Sequence, residues 1–123
     1  MGGLDEVEDI LEEEGIDYRR VESAIITPFK EGEISYTLIT FSDDHMTVIV
    51  GKRDPPLLAS EATARKLLEA NFKMNFASYQ IGEGNEVIVT SFLKTKCIKQ
   101  SFIRNFYAVL SFLRRLGEEL ASW

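Results

Sequence analysis

What this sequence has little of sets its limits first. A single cysteine, Cys97, excludes an internal disulfide, and a single histidine, His45, leaves no Cys/His cluster for a structural zinc. No run approaches the roughly 18 apolar residues that a membrane span needs. The opening MGGLDEVEDILEEEG is acidic where a secretory signal is basic and then greasy. Together these absences lead us to expect a cytoplasmic protein that does not insert into a membrane. With 123 residues there is room for one domain, residues 1–123, large enough to bury roughly two-thirds of its unfolded surface without staples.

Charge is plentiful but uneven. The chain carries a net −6, yet residues 1–33 hold eleven acids against three bases, whereas residues 94–123 hold six bases against two acids. Oppositely charged ends fit first and last helices that lie near each other, or a basic strip that docks an acidic partner. An acidic whole without paired stacking aromatics argues against nucleic acid. The carboxylates of the first segment lack the spacing and glycine of a calcium loop, so we expect no metal.

The stretch from Ala64 to Leu93 reads as helix, stop, strand, tight turn, strand. Ala64, Leu67, Leu68, Asn71 and Phe72 share one helical face, and the helix is expected to end near Met74-Asn75. Phe76 to Ile81 then alternates with period two. Gly82 and Gly84 supply the positive φ angles of a reversal before Val87. Upstream, Leu4, Val7, Ile10 and Leu11 stripe an acidic helix over about 4–14 that closes at Gly15. Strands follow over Arg20–Phe29, Ile34–Phe41 and Met46–Val50, separated by Lys30–Glu33 and Ser42–His45. Ile34–Phe41 is apolar on both faces, which suits an interior strand. Pro55-Pro56 stops the last of them, and Ser60 is placed to cap the second helix with Thr63 at the box position.

The chain closes with its longest element, a helix over about 98–120. Phe102, Phe106, Val109, Leu113, Leu116 and Leu120 follow alternating four- and three-residue steps, and Ile103, Tyr107, Leu110 and Phe112 widen the apolar surface beyond that seam. A helix on one face of a sheet needs only about a 100° stripe. The surplus is absorbed by flanking helices and sheet, or it is a homodimer or partner surface. The fold class is therefore α+β, in the order helix, three strands, helix, two strands, helix: a curved antiparallel five-stranded sheet packed by helices.

No catalytic motif emerges. His45 beside Asp43 and Asp44 is explained by a hairpin tip, and Cys97 has neither a nearby histidine nor a resolving cysteine. Gly82-Glu83-Gly84 leads into a strand and so lacks the helix N-terminus that binds phosphate. No catalytic residue, cofactor-binding residue or cofactor is assigned, and we expect a protein that is not an enzyme.

The element order resembles the fold shared by type III secretion chaperones and the YbjN-like sensory transduction regulator domain. The local likeness lies at Leu67-Leu68-Glu69-Ala70-Asn71, at Asn75-Phe76-Ala77-Ser78-Tyr79 and at the Gly84-Asn85-Glu86-Val87 turn. The opening Leu4 to Ile16 is similar to the first helix of the YbjN-like group. This resemblance implies a non-enzymatic adaptor or chaperone-like domain, often a homodimer, that holds a partner protein segment along its surface. Leu67, Asn71, Tyr107 and Phe112 are the candidate partner-binding residues. The alternative is a small-molecule sensor or enzyme that uses the concave face of the sheet.

Overall fold

A computed structural model describes residues 3–122 of the chain. Helix α1 (Gly3–Glu13) buries Leu4, Val7 and Leu11. Gly15 ends it in the left-handed conformation, φ 70°, donating its N–H to the Glu12 carbonyl at 3.1 Å while the Ile16 N–H reaches Leu11 at 2.9 Å. This pair of bonds is the Schellman closure that a glycine at this place favours. The acidic face of α1 finds its counterpart in the segment that follows. Arg20 Nη1 lies 3.2 Å from Asp5 and 2.5 Å from Glu8, and the Tyr18 hydroxyl donates to Glu8 and Glu12. The hydrogen bond from Arg20 holds the Asp5 carboxyl below the usual carboxylate range.

The sheet has six strands rather than five. The segment read as one strand from Arg20 to Phe29 is folded back on itself at Glu22-Ser23, giving β1 (Arg19–Val21) and β2 (Ala24–Glu31) with Val21 opposite Ala24. Two polar residues suffice for such a reversal, and the surrounding β-branched run hides it. β3 (Ile34–Ser42), β4 (Met46–Asp54), β5 (Ser78–Ile81) and β6 (Val87–Lys94) complete an open antiparallel sheet in the order β1-β2-β3-β4-β6-β5. Helix α2 (Glu61–Asn71) stands between β4 and β5, and helix α3 (Ile98–Ser122) closes the chain. A reciprocal capping box starts α2: Ser60 Oγ accepts from the Thr63 N–H at 3.2 Å, and Thr63 Oγ1 accepts from the Ser60 N–H at 2.8 Å. In the β5–β6 turn the left-handed residues are Gly84 and Asn85, at φ 66° and 64°, while Gly82 stays extended. No helix is long and apolar enough to cross a membrane among the described residues.

Pleat alternation assigns each strand residue to a face. Ile25, Tyr36, Leu38, Ile49, Val87, Val89 and Leu93 turn toward the helices and are buried against the α3 seam of Phe102, Phe106, Val109, Leu113 and Leu116. α3 packs tightly over β4, where a Cβ on Gly51 would lie 2.6 Å from Val109 Cγ1 and 2.7 Å from Leu113 Cδ1. Alpha-helices α1 and α2 pack beside α3 on the same side. The widened apolar surface of α3 is thereby largely used: Leu110 is buried, Ile103 and Phe112 are half-buried, and the Tyr107 hydroxyl donates to Glu14 at the end of α1.

The opposite face carries no helix among the described residues. Register places Phe41, Val48 and Phe92 side by side in one row across the strands, and Ile26, Ile39, Val50, Thr90 and Ser78 in the next. Phe41, Met46 and Phe92 are each more than two-fifths exposed there.

The seating of α3 on Gly51 makes a direct prediction. Gly51→Ala inserts a methyl where two branched side chains already meet, and overpacking of this kind costs about 1–3 kcal/mol. Urea unfolding should show a lower midpoint at unchanged slope, and a variant as stable as the parent would mean that α3 can shift freely over β4.

Candidate partner-binding site

The four residues singled out in the sequence part company in three dimensions. Leu67 is only 2% exposed and belongs to the core, so it is not available to a partner. The exposed large apolar side chains nearby are Leu68 in α2, at 67%, and Phe72 just after its end, at 94%. Sequence spacing put Leu67, Leu68 and Phe72 on one broad face, but α2 rests at the margin of the sheet and buries only a narrow stripe.

Asn71 is the last residue of α2, three positions before the expected end. It is not left-handed. Its side chain instead clasps the backbone of Tyr79, donating from Nδ2 to the Tyr79 carbonyl at 3.1 Å and accepting the Tyr79 N–H on Oδ1 at 2.8 Å. The positive φ in this connection falls on Phe76, at 71°, a conformation that bulky residues rarely adopt. Its carbonyl accepts from Ser91 Oγ, and its ring lies under the Arg104 guanidinium at 3.9 Å. These contacts hold the connection, so β5 begins at Ser78 rather than Phe76.

Phe112 and Phe76 help to line a groove of about 850 Å³ between the end of α2, the connection to β5 and the middle of α3. Ala70, Met74 and Ala108 complete its apolar lining, with Lys66, Lys73 and Arg115 against Glu69 and Glu119 among its polar groups. Phe112 is fixed from two sides, by the Tyr79 ring edge-on at 6.2 Å and by the Arg115 guanidinium 4.6 Å from its centroid. Tyr79 in turn donates its hydroxyl to Glu119 at 2.9 Å. Burial, and then this bond, push the Tyr79 phenol well above its ordinary range, so it stays protonated at neutral pH. The groove lining carries three bases, Lys66, Lys73 and Arg115, against two acids, Glu69 and Glu119, a net +1.

Tyr107 lies elsewhere, at the junction of α3 with α1, edge-on to Phe106 and 43% exposed. Met74 and Phe76 are not among the partner-binding residues expected from the sequence, whereas Arg115 belongs to the basic strip of residues 94–123 that could dock an acidic partner. The contribution of Met74 and Phe76 depends on the bend of the 72–77 connection, which the period-two alternation of Phe76–Ile81 concealed.

At the remaining polar cluster, Asp43 Oδ1 accepts the N–H groups of His45 and Met46, both at 2.8 Å, and these bonds lower the Asp43 pKa. This is turn chemistry at the β3–β4 hairpin, as the sequence suggested. Cys97 sits half-buried in the 3₁₀ turn before α3. Among the described residues no three His, Cys, Asp or Glu side chains are grouped to hold a metal ion.

Asn71→Ala should expose the roles of its two bonds. Removing both partners of the Tyr79 peptide costs about 1–3 kcal/mol, and amide exchange at Tyr79 should accelerate while that at Val89 in the adjoining strand changes less. Unaltered protection of Tyr79 would show that the clasp contributes nothing. Comparison of the chain with family models, with curated proteins and with solved structures finds no match to any of them.

Proposed function

We propose that this chain is a non-enzymatic protein-interaction module, chaperone-like or adaptor-like, that holds a segment of a partner protein in the groove between α2 and α3. The observation that carries this reading is the composition of the groove: an apolar floor centred on Phe112, fixed by Tyr79 and Arg115, with Lys66, Lys73 and Arg115 at its margins. Aromatic and arginine anchors in a partly desolvated cleft are typical of residues that dominate binding energy. Basic margins favour a segment that alternates apolar side chains with Asp or Glu. The resemblance to type III secretion chaperones agrees with this reading, because it too implies a partner segment held along the surface.

A small-molecule sensor is the competing reading, and the groove's volume falls within the range of ligand pockets, about 300–1,000 Å³. The sheet face toward the helices offers less to a ligand, since Phe102, Phe106, Ile49 and Leu38 fill it completely. The groove is also open along its length between two helices, a form that suits a peptide.

Selection from a displayed random-peptide library tests the proposal. Enriched peptides should combine apolar residues with Asp or Glu, and Lys73→Glu should weaken their binding about tenfold or more, equivalent to about 1.4 kcal/mol, with the melting temperature unchanged. Peptides that bind Lys73→Glu and Phe112→Ser as tightly as the parent would remove the groove from consideration. A library that yields no acidic-apolar consensus would count against the module reading itself.

A further inference from the structure

The groove between α2 and α3 has helices for walls and little free backbone to share, which restricts the form of what it can hold. We infer that the partner segment lies there as an acidic amphipathic helix, the third in a layer with α2 and α3. The inference rests on the proposed use of this groove for a partner segment, and adds the form and chemistry of that segment.

Hydrogen-bond accounting decides the form. The floor from Ala108 to Glu119 runs along α3 for about 16 Å, inside a helix whose backbone groups bond one another. The end of the α2 wall is spent as well: the N–H groups of Phe72, Lys73 and Met74 donate to the carbonyls of Glu69, Ala70 and Asn71 at 3.2, 2.9 and 3.3 Å. In the connection that follows, the Phe76 carbonyl accepts from Ser91 Oγ. β5 is the strand against which α2 packs, and the side chain of Asn71 already holds both backbone groups of Tyr79 on that side.

An extended segment covering about 16 Å holds about five residues, and its N–H and C=O groups project sideways into these walls. They meet no row of backbone partners there, and each buried group left unpaired weakens binding about tenfold. A helix pairs its own backbone and covers the same length in about three turns. The small residues Ala70, Ala108 and Ser111 keep the walls low, so that a helix can approach while Phe112 enters between its side chains.

Charge decides the chemistry. The chain as a whole carries −6, yet the groove lining is net +1. Lys66 in α2 and Lys73 just past its end stand exposed on one wall, and Arg115 on the other. Arg104 adds a further base beside the groove, over the Phe76 ring. A helix with Asp or Glu on both flanks of its apolar stripe meets a base on each side. Glu69 lies between the two lysines in sequence, so the acids facing α2 belong toward the ends of the stripe rather than at its middle.

Two synthetic peptides of about 14 residues and identical composition test this by fluorescence anisotropy with the full chain. One carries Leu at i, i+3, i+4 and i+7 with Glu on both flanks, and in the other Leu and Glu alternate with period two. The helical pattern should bind at least tenfold tighter and show helical transferred NOEs. Proline at a solvent-facing position in its middle should weaken it tenfold or more, as should Lys73→Glu in the protein. Equal binding of the period-two peptide, weakened by Lys73→Glu, would overturn the helix and leave the groove as a site for an extended segment. A helical peptide that binds Lys73→Glu and Phe112→Ser as tightly as the parent sits elsewhere and overturns the inference. Binding of neither peptide removes the helix and the partner segment together, and gives the groove to a small ligand.

Discussion

The contact between α3 and the middle of β4 governs much else in this fold. Because residue 51 is glycine, Val109 and Leu113 descend to within van der Waals reach of the strand backbone. That depth brings Phe102, Phe106 and Leu116 into the same layer, and their complete burial supplies a large part of the apolar contact on which stability rests. A long helix lying this low leaves little room beside it. α1 and α2 are accommodated at its flanks, α1 against β2 and β3 and α2 against β5. The groove between α2 and α3 is what remains where α2, held at the margin by Asn71, cannot close the gap.

Much of this was legible in the chain itself. The seam of α3 was visible because an amphipathic repeat sustained over five turns has few alternative explanations. Gly15 marked the end of α1, and Ser60 with Thr63 marked the start of α2, since both positions satisfy local hydrogen bonds that need no tertiary information. The extra strand was missed for a matching reason. A two-residue turn at Glu22-Ser23 carries no glycine, asparagine or proline, so the β-rich run read as continuous.

The candidate surfaces were harder, and one strand shows why. Apolar residues on both faces of Ile34–Phe41 mark an interior strand, and β3 does lie inside the sheet between β2 and β4. β3 is interior only in the plane of the sheet, with neighbours left and right, and one of its faces meets no helix among the described residues. Sequence alternation reports which side chains avoid water, not which molecule supplies the cover. Leu67 and Leu68 make the same point on a smaller scale, because adjacent leucines on one helix end at 2% and 67% exposure according to where the sheet stops.

The Asn71 clasp has a consequence for how far association can run. The two Tyr79 backbone groups that it occupies point away from β6, along the side of β5 where another strand would add. At the other margin β1 offers only three residues, with Arg19 and Arg20 among them. A sheet whose borders are blocked by an amide at one side and kept short and charged at the other is a poor template for edge-to-edge growth. Any assembly through the broad face therefore stops once that face is covered, and the molecule can keep an apolar sheet surface without seeding a fibre.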